Sequence, residues 1–166
     1  MCSSDLYHKS FGYLTYDSIS PNNVETIYDL ASVTKICATN ICVMKLYDQG
    51  KLDINSSLGS YIPWVRGTDK ENLLIRDILL HQARLKSFIP FYKEVIDSSG
   101  IADKRVFEQI QSLNAPYRVA DSMYMVASWR DTIFQRIKTS ALEKPATYIY
   151  SDNDFIFLGL IVEAIT

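Results

Sequence analysis

Histidine and cysteine, the residues that most often hold metals or cross-link small domains, are scarce in this chain. It has two histidines and three cysteines among 166 residues, and they do not show the spacing of a zinc site. Cys37 and Cys42 are five positions apart on one predicted helix and point to different faces, which argues against a disulfide bond between them. We therefore expect no metal, no cofactor and no disulfide framework, and interpret both thiols as small buried apolar residues.

Strong charge of one sign and long apolar runs are missing as well. The chain has 17 basic and 19 acidic residues with a formal net charge of −2 and no basic cluster, so nucleic acid is not an expected partner. No apolar run reaches the 18 residues of a membrane span, and residues 1–10 contain no apolar stretch of the secretory type. The apolar content of 48% is typical of a globular domain with a sizeable core.

Apolar periodicity predicts several helices and two extended regions. The alternating aromatic stretch 7–16 predicts a strand. Residues 32–49 are apolar on nearly every face, which predicts a helix buried in the domain and ended by Gly50. Further helices are predicted over 75–82, 91–97, 104–113, 129–142 and 154–165, and extended segments over 117–126 and 148–150.

The helix predicted over 32–49 opens with a serine and a lysine three residues apart. On a helix, Ser32 and Lys35 share one face and are within side-chain reach. An amine in apolar surroundings has a lowered pKa, so a neutral Lys35 can take the proton of Ser32 and make it nucleophilic without histidine. The same pattern also fits a helix cap followed by a solvated lysine, and the two residues alone do not separate these readings.

Four stretches in order resemble the motifs of one enzyme superfamily. They are residues 26–35 (Thr-Ile-Tyr-Asp-Leu-Ala-Ser-Val-Thr-Lys), Gly50-Lys51-Leu52-Asp53, residues 75–82 ending in His81-Gln82, and Tyr150-Ser151-Asp152 followed by Leu158-Gly159. Over 7–166 the chain resembles the serine beta-lactamase and penicillin-binding-protein superfamily, especially its class C-like, esterase and D-alanyl-peptidase branch. Ser-x-x-Lys is a signature of that superfamily.

The resemblance implies an α/β (α+β) fold. We expect mostly the helical region of a beta-lactamase-like domain plus an N-terminal strand segment, with the C-terminal sheet strands missing. Residues 7–166 would be the N-terminal portion of that domain, and residues 1–6, which resemble a translated sequencing adapter, a non-native leader. The family's third motif, a Lys-Thr-Gly or His-x-Gly type strand, is absent from the sequence. We therefore expect an exposed apolar face and sheet edge, and little turnover without the missing C-terminal half of the domain.

The implied function is a serine hydrolase of bacterial cell-wall metabolism. Its substrate would be a small molecule or peptide with an ester, amide or beta-lactam carbonyl, and its location periplasmic or extracellular. Ser32 would form the acyl-enzyme, Lys35 would be its base or proton relay, and Tyr150 would share protons with Lys35 and help activate water. The Ser32 backbone N–H would supply half of the oxyanion hole.

Asp152 departs from the family pattern, which usually has asparagine there. A carboxylate near Lys35 raises the pKa of the amine and opposes its use as a neutral base. Either Tyr150 is then the base, or Asp152 turns away as a helix cap and Asn153 takes its place; the sequence leaves both open.

Two further interpretations remain from the sequence. Arg84 stands where relatives usually have glycine after His81, and His81 is interpreted as structural.

The rival functions are a non-catalytic binding domain that keeps the fold, for which Asp152 is the main argument, and an accessory domain of a cell-wall glycoside hydrolase.

Overall fold

The computed structural model describes residues 7–144 and 148–166, which divide into two compact units, Met1–Thr34 and Lys35–Thr166. The predicted leader, residues 1–6, lies outside the described residues. The helices and strands named below all belong to the second unit.

The described part of the first unit, residues 7–34, contains no regular strand, so the strand predicted over 7–16 is wrong. A single antiparallel bridge joins Tyr13 to Pro21. Gly12 has a φ of +71° and Ser18 a φ of +59°, values that an extended strand does not accommodate. These two turns fold the segment back on itself.

The first helix of the second unit is shorter and more open than predicted. A π-helical segment, Lys35–Asn40, leads into α1, Ile41–Asp48, and Gly50 follows with the expected left-handed φ of +65°. The stripe that packs against the last helix, α5 (Asp152–Ile165), is buried at Val43 and Leu46. The other apolar side chains are exposed, namely Ile36, Ile41, Met44 and Tyr47.

Burial of this helix on all sides is therefore a wrong prediction, as is burial of the two thiols. Cys37 and Cys42 are exposed free cysteines. Only one stripe of the helix finds a packing surface within the described chain, so apolar residues on the remaining faces stay in water. The exposed apolar face expected from the resemblance is thus present along the π-helical segment and α1.

The core is built around the last helix. The remaining helices are α2 (Leu58–Tyr61), α3 (Ile75–Leu79), α4 (Ala127–Thr139) and α5 (Asp152–Ile165), with 3-10 turns at Pro63–Val65 and Phe91–Glu94. In α5, Phe157, Leu158 and Ile161 are fully buried, and α1, α2 and α3 pack against it. The helices predicted over 75–82, 129–142 and 154–165 are confirmed, the first of them ending early.

A small antiparallel sheet completes the second unit. Its strands are β1 (Phe107–Glu108), β2 (Tyr117–Ala120) and β3 (Met123–Met125), in the order β1-β3-β2. The extended region predicted over 117–126 is confirmed. Met125 pairs with Phe107 on one side and Tyr117 on the other.

The helix predicted over 104–113 is wrong, and side-chain hydrogen bonds explain why. Glu108 accepts hydrogen bonds from Ser112 Oγ at 2.8 Å and from Asn114 Nδ2 at 2.9 Å. These bonds close a loop that competes with helical pairing of the backbone. Ile110 and Leu113, expected in the core, are exposed.

Lys70 ties the loop before α3 to the end of α4 and supports a stability prediction. Its side chain is fully buried, and Nζ donates hydrogen bonds to Ser140 O at 2.5 Å and Asp69 Oδ1 at 2.8 Å. Lys70→Met leaves the Ser140 carbonyl unpaired, so we expect the free energy of unfolding to fall by about 1–3 kcal/mol. Chemical denaturation measures this, with the exposed Lys51 changed to Met as control. Equal losses in the two variants would refute a bonding role for Lys70.

Candidate active site

Ser32 lies in an exposed turn of the first unit. Val33 N–H donates to Leu30 O at 2.9 Å and Thr34 N–H donates to Ala31 O at 3.1 Å. Ala31, directly before the serine, has a φ of +43°, a conformation that costs a residue with a Cβ atom some strain. The backbone N–H of Ala31 is held by Asp29 Oδ1 at 2.8 Å. The candidate nucleophile thus lies in a turn that contains a strained residue, Ala31.

Lys35, Tyr150 and Asp152 come together in the second unit. Lys35 Nζ lies 2.6 Å from Asp152 Oδ1 and 5.2 Å from the centroid of the Tyr150 ring. The Lys35 side chain is 16% exposed. Three of the four residues singled out in the sequence are therefore neighbours, although Lys35 and Asp152 are separated by 117 positions. The partnership of Ser32 with this cluster stays a prediction based on the Ser-x-x-Lys spacing.

The start of α5 excludes one of the two alternatives that the sequence left open for Asp152. Ser151 is the cap of this helix: its Oγ accepts from Asn153 N–H at 3.1 Å and donates to Lys86 O at 2.7 Å. Asn153 is buried and its Nδ2 donates to Lys86 O at 2.6 Å. Asp152 therefore does not cap the helix and Asn153 does not replace it beside Lys35, so that alternative is wrong.

The ion pair sets the charge of Lys35. Burial by itself lowers the pKa of the amine, but hydrogen bonds with Asp152 and Tyr150 outweigh it and hold the pKa above its usual value. Lys35 is therefore an ammonium group at neutral pH. A cation beside the phenol favours its ionised form, which makes Tyr150 the better candidate for a base.

Asp154 and His81 form a second polar pair next to this cluster. His81 Nδ1 lies 2.6 Å from Asp154 Oδ2, and the His81 and Tyr150 ring centroids are 4.7 Å apart. Sequence analysis gave His81 a structural role and overlooked Asp154. The available signal was an acidic residue on the face of an otherwise strongly apolar helix, one residue before Phe155 and three before Phe157.

Arg84 adopts the backbone conformation that glycine favours. Its φ is +64°, which matches the family's usual glycine at this position better than a residue with a Cβ atom. Arg84 Nε donates to Glu143 O, and Glu143 N–H donates to Arg84 O, both at 2.8 Å. These two bonds hold the arginine in a conformation that is otherwise unfavourable.

Within residues 7–144 and 148–166, no helix is long and apolar enough to cross a membrane. Nor do the described histidine, cysteine and acidic residues form a group of three that would hold a metal ion.

Comparison with known proteins shows the family. A family model described as Beta-lactamase matches residues 4–166, so the chain belongs to the beta-lactamase family. Proteins provisionally named D-alanyl-D-alanine carboxypeptidase, from Salmonella paratyphi A and Salmonella schwarzengrund, are 36% identical to it over 149 and 151 residues. The matched region is 85% of this chain and 29% of each of theirs. The chain thus spans less than a third of these curated relatives.

Solved structures show the fold. FmtA from Staphylococcus aureus matches with a TM-score of 0.60 at 18% identity, over 95% of this chain and 35% of that protein. A class C beta-lactamase matches with a TM-score of 0.51 at 16% identity, over 80% of this chain and 28% of that one. The mixed α/β (α+β) fold of the beta-lactamase type expected from the sequence is confirmed.

Proposed function

We propose that this chain is the N-terminal portion of a serine hydrolase that works through an acyl-enzyme in bacterial cell-wall metabolism. The observation that carries the proposal is the cluster of Lys35, Tyr150 and Asp152, with Nζ of Lys35 held 2.6 Å from the carboxylate and over the phenol ring. Membership of the beta-lactamase family supports it. The names of the Salmonella relatives point to a peptide ending in D-alanyl-D-alanine as the substrate. The periplasmic or extracellular location is proposed from the family resemblance.

In the proposed acylation step, Tyr150 acts as a phenolate stabilised by the Lys35 ammonium. The Ser32 hydroxyl gives its proton to Tyr150, and Ser32 Oγ bonds to the substrate carbonyl carbon. The bond to the leaving group then breaks, and the leaving group takes the proton from Tyr150. In deacylation, Tyr150 takes a proton from water, hydroxide adds to the acyl carbon, and Ser32 leaves with the proton. The Ser32 backbone N–H donates to the oxyanion in both halves.

A non-catalytic binding domain is the second candidate, and one specific observation favours it. Asp152 forms an ion pair with Lys35, so part of the positive charge that would stabilise a phenolate is neutralised. A domain that keeps the fold but has lost turnover would tolerate this carboxylate.

Covalent labelling of Ser32 tests the proposal. The complete gene product should react with a fluorescent penicillin or a fluorophosphonate, and Ser32→Ala should abolish labelling, because no other group in the scheme forms the acyl bond. Labelling is read on a denaturing gel and the modified residue is identified by peptide mass spectrometry. Ser99→Ala, at an exposed loop position, is the matched control. Folded protein that takes up neither probe would favour the binding domain.

A further inference from the structure

The pair of His81 and Asp154 is a buried polar contact that the proposed mechanism does not use. Asp154, the third residue of α5, is 1% exposed, and His81, just after α3, is 8% exposed. Their 2.6 Å contact joins His81 Nδ1 to Asp154 Oδ2. Three aromatic rings, those of Tyr148, Tyr150 and Phe155, surround the imidazole with centroid distances of 4.7–5.7 Å.

The hydrogen bonds to His81 Nδ1 indicate which residue of this pair carries the shared proton. Ser151 N–H donates to His81 Nδ1 at 3.3 Å, so Nδ1 is an acceptor. The proton in the short contact to Asp154 then belongs to the carboxyl group, and the carboxyl O–H and Ser151 N–H share the one lone pair of Nδ1. Asp154 Oδ1 is buried and has no hydrogen-bond partner within the described residues. An ionised carboxylate there would be a poorly compensated buried charge, whereas a neutral acid is far cheaper to bury.

The charges that face His81 favour the same assignment. The charged groups that act on His81 are Lys35 and Asp152, and its short contact is to Asp154. Burial and the Lys35 ammonium lower the pKa of His81, with Asp152 opposing. Burial raises the pKa of Asp154 to about 8. A neutral imidazole next to a carboxylic acid is therefore the form at neutral pH.

We propose that Asp154, as a carboxylic acid, fixes His81 as the neutral Nε2–H tautomer, and that the two are positioning residues for Tyr150. This inference rests on the proposed function, because Tyr150 is its base. The coupling is direct: His81 Nδ1 accepts from Ser151 N–H, the residue after Tyr150, and the imidazole packs on the Tyr150 ring. When Asp154 ionises, Nδ1 must become a donor to the carboxylate, and Ser151 N–H loses its acceptor.

Imidazole nitrogen NMR tests the assignment without any activity measurement. His81→Gln removes the His81 signals and so assigns them in the complete gene product. His81 should be in the neutral Nε2–H form at pH 7 and change to Nδ1–H as the pH passes about 8, the value for Asp154. An imidazolium or an Nδ1–H form of His81 at pH 7 would overturn the proposal.

Asp154→Asn is the conservative variant, because its amide can still donate to Nδ1. In the parent, ionisation of Asp154 should slow labelling above about pH 8, because Ser151 N–H then loses its acceptor. Asp154→Asn should keep the Nε2–H tautomer throughout, keep the labelling rate at pH 7 near that of the parent, and remove that loss. Asp154→Leu has no donor, and its labelling rate should fall about 10- to 100-fold. Normal Ser32 labelling with His81 present as an imidazolium or in the Nδ1–H form at pH 7 would sink this inference alone. A neutral Nε2–H His81 in a protein without Ser32 labelling would instead leave the structural assignment intact and sink the proposed function.

Discussion

Asp152→Asn is expected to speed acylation of Ser32 by about tenfold. The carboxylate at 2.6 Å from Lys35 Nζ neutralises part of the charge that stabilises a Tyr150 phenolate. It also holds the Lys35 pKa above its usual value. Without the carboxylate, the Lys35 amine gives up its proton more readily, or its full charge acts on the phenol. The Asp152 side chain is 41% exposed, and solvent screening keeps the effect from being larger.

The second-order rate constant for labelling by a fluorescent penicillin measures this effect in the complete gene product. The change favours acylation whichever residue is the base. If Lys35 is the base, it becomes neutral more easily. If Tyr150 is the base, the Lys35 ammonium stabilises its phenolate without a competing carboxylate. Asp131→Asn, which removes a charge from an exposed position on α4, should leave the rate unchanged. Slower labelling of Asp152→Asn would mean that the carboxylate takes an active part in the proton network, and that its ion pair does not restrain the site.

Phe157→Ala is expected to lower the free energy of unfolding by about 3–5 kcal/mol, the usual range for deleting a fully buried aromatic ring. Phe157 is 0% exposed and its ring centroid lies 5.7 Å from that of Trp64, which in turn stacks on Phe134 of α4 at 5.7 Å. The substitution therefore opens a cavity between α5, the 3-10 turn Pro63–Val65 and α4.

Phe88→Ala is the matched control, since it deletes the same atoms from a side chain that is 51% exposed. Its loss should stay below about 1 kcal/mol. Urea unfolding followed by tryptophan fluorescence is suitable, because Trp64 sits at the cavity. Similar losses in the two variants would show that the stack around Trp64 contributes little to the fold.

The elements that sequence analysis predicted well are those whose signals are local. The last helix combines the Ser151 cap with a dense apolar face, and its predicted bounds differ from the observed ones by two residues at the start. The segment 104–113 has an equally regular stripe, yet Glu108 holds Ser112 and Asn114 in a loop. Periodicity does not register such side-chain bonds, because they depend on side-chain geometry and not on apolar spacing.

The candidate site, too, could be predicted only in part from the sequence. The resemblance pointed to Lys35, Tyr150 and Asp152, and the structure brings these three together. The sequence could not predict the position of Asp152, because that depended on which residue caps α5. The structure shows that Ser151 is the cap. The pair of His81 and Asp154 depends on a contact across 73 positions, and no spacing rule connects residues so far apart.

The 117 positions between Lys35 and Asp152 have a consequence for how this chemistry arises. Closing so large a loop costs entropy that only the packing of the intervening chain recovers. Short peptides carrying either end would therefore hold no ion pair, and grafting the serine and lysine onto another helix would transfer a pattern without its electrostatics. The ion pair is a property of the assembled tertiary structure.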